Sequence, residues 1–341
     1  MNKKKILFIG GSLNQTSMMH KISINLDRQY DCYFTPYYTD GHLERMRTNG
    51  MLDFTILGGA FVHQTINYLA QNNLRIDYKG QSNNYDLIFT CSDLIVQENI
   101  KDKKVILVQE GMTDPETLLF YLVKWLGLPR YLAGTSTTGL SDAYTYFCVA
   151  SEGYKDLFIK KGVDSDKLIV TGIPNFDNAE QYRENEFPHH NYVLVATSDT
   201  RETKRYENRK KFILNAVEIS QGRQIIFKLH PNENVERATA EINKYAPGAL
   251  VYSSGNVHHM IANCEVLITK YSTVVYTGIA LGKEVYSDFD VDTLKRMTPI
   301  QNNGLSAKRI AQIGINLIEN GDIVQSREWN EQPKLRKAYS H

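Results

Sequence analysis

His230 and Pro231 stand where packing alone asks for neither. The run Gln224-Ile225-Ile226-Phe227-Lys228-Leu229 reads as a buried strand, and a histidine locked by a proline follows it at once. An imidazole at such a strand end can hold a polar ligand, and Lys228 beside it can add a cation. Further along, a strand over Val266 to Thr269 runs through Lys270 and Tyr271 into Ser272 and Thr273, and a helical pattern begins immediately. Either hydroxyl can cap that helix, which leaves backbone N–H groups and the positive end of the dipole for a phosphate. An ordinary N-cap without a ligand carries the same signature.

Two carboxylates could do chemistry. Glu110 follows the apolar strand Val105-Ile106-Leu107-Val108, where desolvation would raise its basicity and suit it to take a proton. The plain alternative is a glutamate at the start of the next helix. Asp199, in Thr197-Ser198-Asp199-Thr200, could attack a sugar as a nucleophile or close an Asx turn. Gly10, Gly11 and Ser12 join the first strand to the first helix and could lie under a donor or acceptor. That loop lacks G-x-G-x-x-G, and no acidic residue ends the second strand, which speaks against a dinucleotide site. Asp288, Asp290 and Asp292 have a D-x-D look, but the expectation is that no metal is held. His20 reads as an ordinary helix residue.

What must position these residues is a repeated strand and helix alternation. Strand candidates recur from Lys5 through "YDCYFTPY", "FTILGG", "YDLIFTC", "KVILVQEG", "YTYFCVAS" and "KLIVTG", and again from "YVLVAT" to "EVYS". Uniformly apolar strands separated by helices imply parallel sheets covered on both faces, and ligands then sit beyond the carboxyl ends of the strands. The expected fold is α/β, with two doubly wound, Rossmann-like domains facing a cleft. The expected domains are 1–177, a linker over 178–191, a nucleotide-binding domain over 192–320, and a tail over 321–341 packing back on the first domain. The helix in "TLLFYLVKWLGLPRYL" is expected to be buried, with a membrane surface as the alternative.

Composition narrows the function classes. The 341 residues are 42% hydrophobic and 23% charged, with a formal net charge of +1, which argues against a general nucleic-acid binder. The basic, then apolar opening lacks the long apolar core of a signal peptide. Cys32, Cys91, Cys148 and Cys264 are far apart and read as thiols rather than disulfides or zinc ligands. The expectation is a cytoplasmic protein, with contact at the inner face of the membrane left open.

The layout "KLHP…ITKYSTVVYTGIALGKEVY" resembles the donor-nucleotide half of GT-B glycosyltransferases. Its His-Pro and later Ser-Thr pair are most similar to enzymes with cytidine-linked donors: bacterial sialyltransferases, capsule Kdo transferases and CDP-glycerol glycerophosphotransferases. "YFCVASEGYKDLFIKKGVDSDKLIVTGIPNFD" resembles the end of a GT-B N-terminal domain, and equally the non-hydrolysing UDP-N-acetylglucosamine 2-epimerases. The resemblance implies nucleotide contacts from His230, Pro231, Lys228, Tyr271, Ser272 and Thr273. It implies a catalytic role for Glu110 or Asp199, and a loop at Gly10, Gly11 and Ser12 beneath donor and acceptor. Gln109 departs from the acidic-acidic-Gly motif of the sialyltransferases. The activity implied is transfer of a sugar from a CMP- or CDP-linked donor, or a UDP-linked one, to a bacterial surface glycan or lipid-linked acceptor. No cofactor, metal or nucleic acid is called for. A nucleotide-sugar 2-epimerase and a non-catalytic nucleotide-binding subunit are the alternatives, although the arginine of the epimerases' first loop is missing.

Overall fold

The computed structural model describes residues 3–321 apart from 54, 203–205 and 271. Six strands form one parallel sheet: β1 (Lys5–Gly10), β2 (Asp31–Pro36), β3 (Leu87–Thr90), β4 (Val105–Val108), β5 (Tyr146–Val149) and β6 (Leu168–Val170), in the order β2-β1-β3-β4-β5-β6. Five more form a second parallel sheet: β7 (Val193–Ala196), β8 (Ile225–Lys228), β9 (Leu250–Tyr252), β10 (Val266–Thr269) and β11 (Glu284–Tyr286), in the order β11-β10-β7-β8-β9. Their central strands are buried throughout because helices cover both faces. Phe8 shows the result: it registers with Phe34 and Phe89 and stacks on both, with ring centroids 5.0 Å apart.

Helices α1 (Leu13–Ser23), α2 (Gly41–Thr48), α3 (Gly59–Gln71), α4 (Leu118–Leu126) and α5 (Glu152–Lys161) lie between the strands of the first sheet. The second sheet alternates with α6 (Arg209–Ser220), α7 (Val235–Tyr245), α8 (Val257–Asn263) and α9 (Val274–Ala280). Caps set several of the starts: Ser12, Ser151, Asn208 and Asn234 each accept a backbone N–H from the first turn. In the stretch expected as a strand, "FTILGG", residues 55–58 are instead a turn leading into α3, and Phe54 lies outside the described residues. The Gly58 N–H closes on the Thr55 carbonyl at 2.8 Å, and a side chain at Gly58 would meet the Asp53 backbone. Paired glycines and a threonine favour that turn over a short apolar run.

The chain then returns to the first half. Helices α10 (Val291–Met297) and α11 (Ser306–Asn320) follow β11, and α11 buries Ile310, Ile313 and Leu317 in the core of the first sheet. Gly314 lets α11 approach Leu87 and Phe89, which a methyl group there would reach at 2.9 and 2.7 Å. The sequence reading placed this helix with the second domain; its apolar stripe packs on the first sheet instead. The tail over 322–341 lies outside the described residues. The linker is docked: Tyr182 stacks on His258, and Asn185 accepts from Asn263 at 2.7 Å.

Two of the contacts that join the halves lie on α5. The hydroxyls of Tyr154 on α5 and Tyr276 on α9 are 2.6 Å apart and buried. On the same helix, Gly153 faces the end of α10 so closely that a Cβ would come within 2.4 Å of the Arg296 carbonyl oxygen. Backbone is the obstacle, so relief requires moving a helix. Gly153→Ala is expected to destabilise the chain by ~1–3 kcal/mol, read as a lower denaturation midpoint. A midpoint equal to wild type would mean that α10 is free to shift.

Candidate functional site

In the second sheet the chain moves from β7 to β8 and β9 on one side, then crosses to β10 on the other. The crevice between β7 and β10 is thus the switch point, where ligands enter sheets of this type. Thr197 to Asp199 border it on one side and Ser272-Thr273 on the other. The His230 loop lies one strand beyond β7. Two strand spacings separate the ends of β8 and β10, roughly 10 Å.

His230 is held through its backbone. Its N–H lies 3.1 Å from Thr197 Oγ1 and 3.0 Å from Glu233 Oε2, and its Nδ1 accepts the Asn232 N–H at 3.2 Å. An acceptor at Nδ1 leaves Nε2 carrying the proton of the neutral ring. Asp199 accepts from Asn232 Nδ2 at 3.0 Å and lies 3.8 Å from His230 Nδ1. Asp199 and His230 are therefore brought together, and Asn232 bridges them. Pro231 is exposed beside them.

Ser272 and Thr273 reach the start of α9, but neither hydroxyl caps it. Thr273 already has helical dihedrals, φ −62° and ψ −18°, from which a side-chain oxygen does not reach the first-turn N–H groups. Among the described residues the two hydroxyls take no hydrogen-bond partner. Tyr271 lies outside those residues. Lys228 is turned elsewhere: its ammonium is buried, donating to the carbonyls of Leu229 at 2.8 Å and Ser253 at 3.3 Å. Burial lowers its pKa while Glu233 pulls the other way. Lys228 braces the loops after β8 and β9. Lys270 is the cation nearer the crevice, 3.7 Å from Glu207 and 3.9 Å from Asp288.

Beneath these loops runs a buried ionic network that sequence reasoning missed. Arg209 contacts Glu233 at 2.5 Å and Glu207 at 2.9 Å, and Arg201 contacts Glu241 at 2.9 Å. Glu233 also takes the Thr197 hydroxyl and the His230 N–H. One guanidinium thereby connects the loops after β7 and β8 and, through Glu207, faces Lys270 after β10. The available signal was the glutamate three residues after His230, the spacing at which a side chain reaches back to a backbone N–H.

The first sheet has its switch point between β1 and β3, because β2 and β3 lie on opposite sides of β1. Glu110 reaches over it from the end of β4. Its carboxylate accepts from Ser12 Oγ at 2.9 Å, Asn14 Nδ2 at 3.3 Å and Gln15 Nε2 at 2.6 Å. Ser12 meanwhile caps α1 by accepting from Gln15 N at 3.1 Å. The pattern Ser-x-x-Gln was visible in the sequence, although its glutamine serves Glu110 instead of the cap. Gly10 and Gly11 let α1 close on this loop: a Cβ would lie 2.6 Å from Thr16 Oγ1 and 2.4 Å from Gln15 Oε1, respectively. Gln109 is buried and does what an acid could not. It donates to the Gly111 carbonyl at 2.8 Å and accepts from Ala150 N at 2.9 Å. Gly111 then sits against the second half, where a Cβ would come within 2.9 Å of the Thr273 methyl. The Glu110 loop and the start of α9 are neighbours.

Other candidates have separate duties. Asp290 caps α10, Asp292 pairs with Lys295 at 3.2 Å, and His20 bonds the Tyr68 hydroxyl at 3.1 Å. Among the described residues no three metal-binding side chains cluster. A cavity of about 600 Å³ lined by Phe187, Tyr252 and His259 shares no residue with either cluster. The cysteines are free.

Neither a protein-family model nor a curated protein matches this chain. Solved structures do. A putative UDP-N-acetylglucosamine 2-epimerase from Listeria monocytogenes superposes with a TM-score of 0.58 at 13% identity, covering 94% of this chain and 98% of the other. A UDP-GlcNAc 2-epimerase from Neisseria meningitidis, bound to UDP-GlcNAc, gives 0.54 at 14% identity, with 92% and 100% covered. The wall teichoic acid polymerase TagF gives 0.51 at 11% identity, with 94% and 90% covered. The chain has the GT-B fold. Across the GT-B halves, likeness of this degree speaks for architecture, and the chemistry has to come from the residues.

Two outcomes test the site's framework. Gln109→Glu sets a carboxylate against the Gly111 carbonyl and is expected to cost ~1–3 kcal/mol in a denaturant melt; a neutral result would deny the bridge. His258 stacks on Tyr182, bonds Thr277 Oγ1 at 3.0 Å, and is lowered to about 4 by burial and by His259. The unfolded chain then binds a proton that the folded chain refuses, so this contribution is complete above pH 6.5 and falls away toward pH 4. His258→Gln should flatten the pH dependence of stability in that window by at most ~3 kcal/mol. An unchanged slope would remove His258 from the account.

Proposed function

We propose that this chain is an enzyme acting on a nucleotide-linked sugar, with Glu110 moving a proton at the sugar while the second domain holds the nucleotide. The observation that carries this reading is the position of Glu110. Its carboxylate is wrapped by Ser12, Asn14 and Gln15, and its loop touches the start of α9 through Gly111 and Thr273. A phosphate at Ser272-Thr273 places the attached sugar toward Glu110. The uncommitted hydroxyls, the positive helix end and Lys270 suit that phosphate, and His230 Nε2 and Pro231 suit the nucleoside side. The Gly10-Gly11-Ser12 loop completes the set as residues near the donor. Lys228 contributes by bracing the loops. Proton transfer by a positioned carboxylate is worth about 10²–10⁴ in rate.

Epimerisation is the first reading. Inverting C2 of a sugar requires a proton to leave that carbon and return on the other face, with no acceptor. The Listeria and Neisseria structures, matched over nearly their whole lengths, are named as such epimerases. Transfer is the second reading, favoured by the TagF match and by the absence of an arginine in the first loop. There Glu110 takes the proton of an acceptor hydroxyl, with CMP-, CDP- or UDP-linked sugars as donors and a surface glycan or lipid-linked acceptor. Asp199, engaged with Asn232, supports the His230 loop in both readings.

Incubation with UDP-N-acetylglucosamine in D₂O separates the two. Deuterium at C2 without an acceptor is the epimerase outcome; an unaltered sugar, with CMP, CDP or UDP released only when an acceptor is present, is the transferase outcome. Glu110→Gln should abolish either while nucleotide still raises the melting temperature. His230→Ala should weaken nucleotide binding at least tenfold, about 1.4 kcal/mol. Asp199→Asn should retain measurable turnover. A chain whose melting responds to none of UDP, CDP or CMP would refute the reading.

A further inference from the structure

We propose that α4 and the turn after it seat this protein on a lipid bilayer that carries anionic headgroups. The sequence reading expected a buried helix, and the structure overturns that. Only Phe120 and Val123 of α4 are buried, while Leu118 is 77% exposed, Trp125 75% and Leu126 66%, joined by Tyr121 and Leu122. Leu118, Leu122, Trp125 and Leu126 follow the spacing of one helical stripe, so they form a single crest. Leu132, in the following turn, extends it. An apolar crest of this size is uncommon on a free surface and marks a partner.

Charge decides which partner. From Thr117 to Ser141 the chain has no Asp or Glu, and its only charges are Lys124 and Arg130. Lys124 is exposed and donates to the Lys161 carbonyl at 2.8 Å, and the half-buried Arg130 donates to that of Asp93 at 3.0 Å. Lys160 is exposed beside Lys161. Glu116 and Asp114 sit at the rim, where Glu116 takes the Tyr121 hydroxyl at 2.9 Å and Asp114 that of Thr135 at 2.8 Å, and the buried Asp93 carboxylate is taken up by the N–H groups of Gly139 and Ser141. In a twofold dimer through this face the crest would meet itself, and the stretch from Thr117 to Ser141 offers no carboxylate to answer the exposed Lys124. Anionic headgroups answer it. Aromatic and leucine side chains on a crest backed by cations are what an interfacial helix presents. With nine residues, α4 is too short to span a bilayer, and no described helix is long and apolar enough to do so.

The crest begins on the connection that carries Glu110. The function proposed above puts Glu110 at the sugar. The docking itself is independent of that reading.

The test is flotation of the full chain with vesicles of phosphatidylcholine and phosphatidylglycerol at a ratio of about 7:3, and with phosphatidylcholine alone. The wild type should float with the anionic vesicles. In a Trp329→Phe background, where Trp125 is the sole indole, its emission should shift to the blue on binding. The combined variant Leu118→Gln, Trp125→Gln, Leu126→Gln should lose at least about tenfold in partitioning at an unchanged melting temperature, because all three side chains are exposed. No flotation of the wild type, equal flotation of the variant, or equal binding to both vesicles would overturn the proposal. So would a wild-type dimer that the variant dissolves. A chain that floats but does not bind UDP, CDP or CMP would sink the nucleotide reading and leave the docking in place.

Discussion

A parallel strand delivers its carboxyl end to the same edge as every other strand in its sheet. With two such sheets, the whole chemical repertoire gathers on two edges, and a site exists only if those edges are held together. Here helices hold them. Tyr154 and Tyr276 share a buried hydroxyl contact between α5 and α9, α10 lies against Gly153, and α11 returns to the first sheet. Each of these contacts has one partner before the linker and one after it. Their joint effect is felt at Gly111, pressed against Thr273, where the loop bearing Glu110 meets the start of α9.

Holding the edges leaves each loop to be fixed locally, and the halves do this differently. The first half uses neutral donors: Ser12, Asn14 and Gln15 take the place of water around one carboxylate, and Gln109 ties the loop to Ala150. The second half uses charge, with Arg209 between Glu233 and Glu207 and Arg201 nearby. Buried ion pairs contribute little net stability, but removing one member leaves an uncompensated charge. Such a network fixes geometry more than it adds stability. The His230 loop depends on it through a backbone N–H, which leaves the imidazole Nε2 to contact a ligand.

The sequence made the sheets legible because apolar strands of fixed length alternate with helical periods. It made His230, Glu110 and Ser272 legible as strand-end residues for the same reason. Side-chain direction was not legible. Lys228 continues the alternation of β8 and turns its ammonium under the loops, which depends on the carbonyls of Leu229 and Ser253. The cap expected from Ser272 or Thr273 fails on a dihedral angle. Glu233 and Arg209 come together only when β7, β8 and α6 are assembled, so no spacing announces the pair. "FTILGG" had the composition of a strand and the glycines of a turn, and the glycines won.

The exposure of α4 is the instructive reversal. Composition favours an apolar helix being inside, since burial of leucine and tryptophan is the dominant gain in folding. That argument needs a surface to receive the helix, and only Phe120 and Val123 find one, against the turn over Arg130–Thr137 and Lys161. The remaining leucines and Trp125 stay outside, a position the chain tolerates without gaining from it in water. Gln or Lys at those places would preserve the helix and improve its hydration. Their absence, together with the lack of any carboxylate from Thr117 to Ser141, is a constraint that folding does not impose. The docking proposed for this surface would supply it.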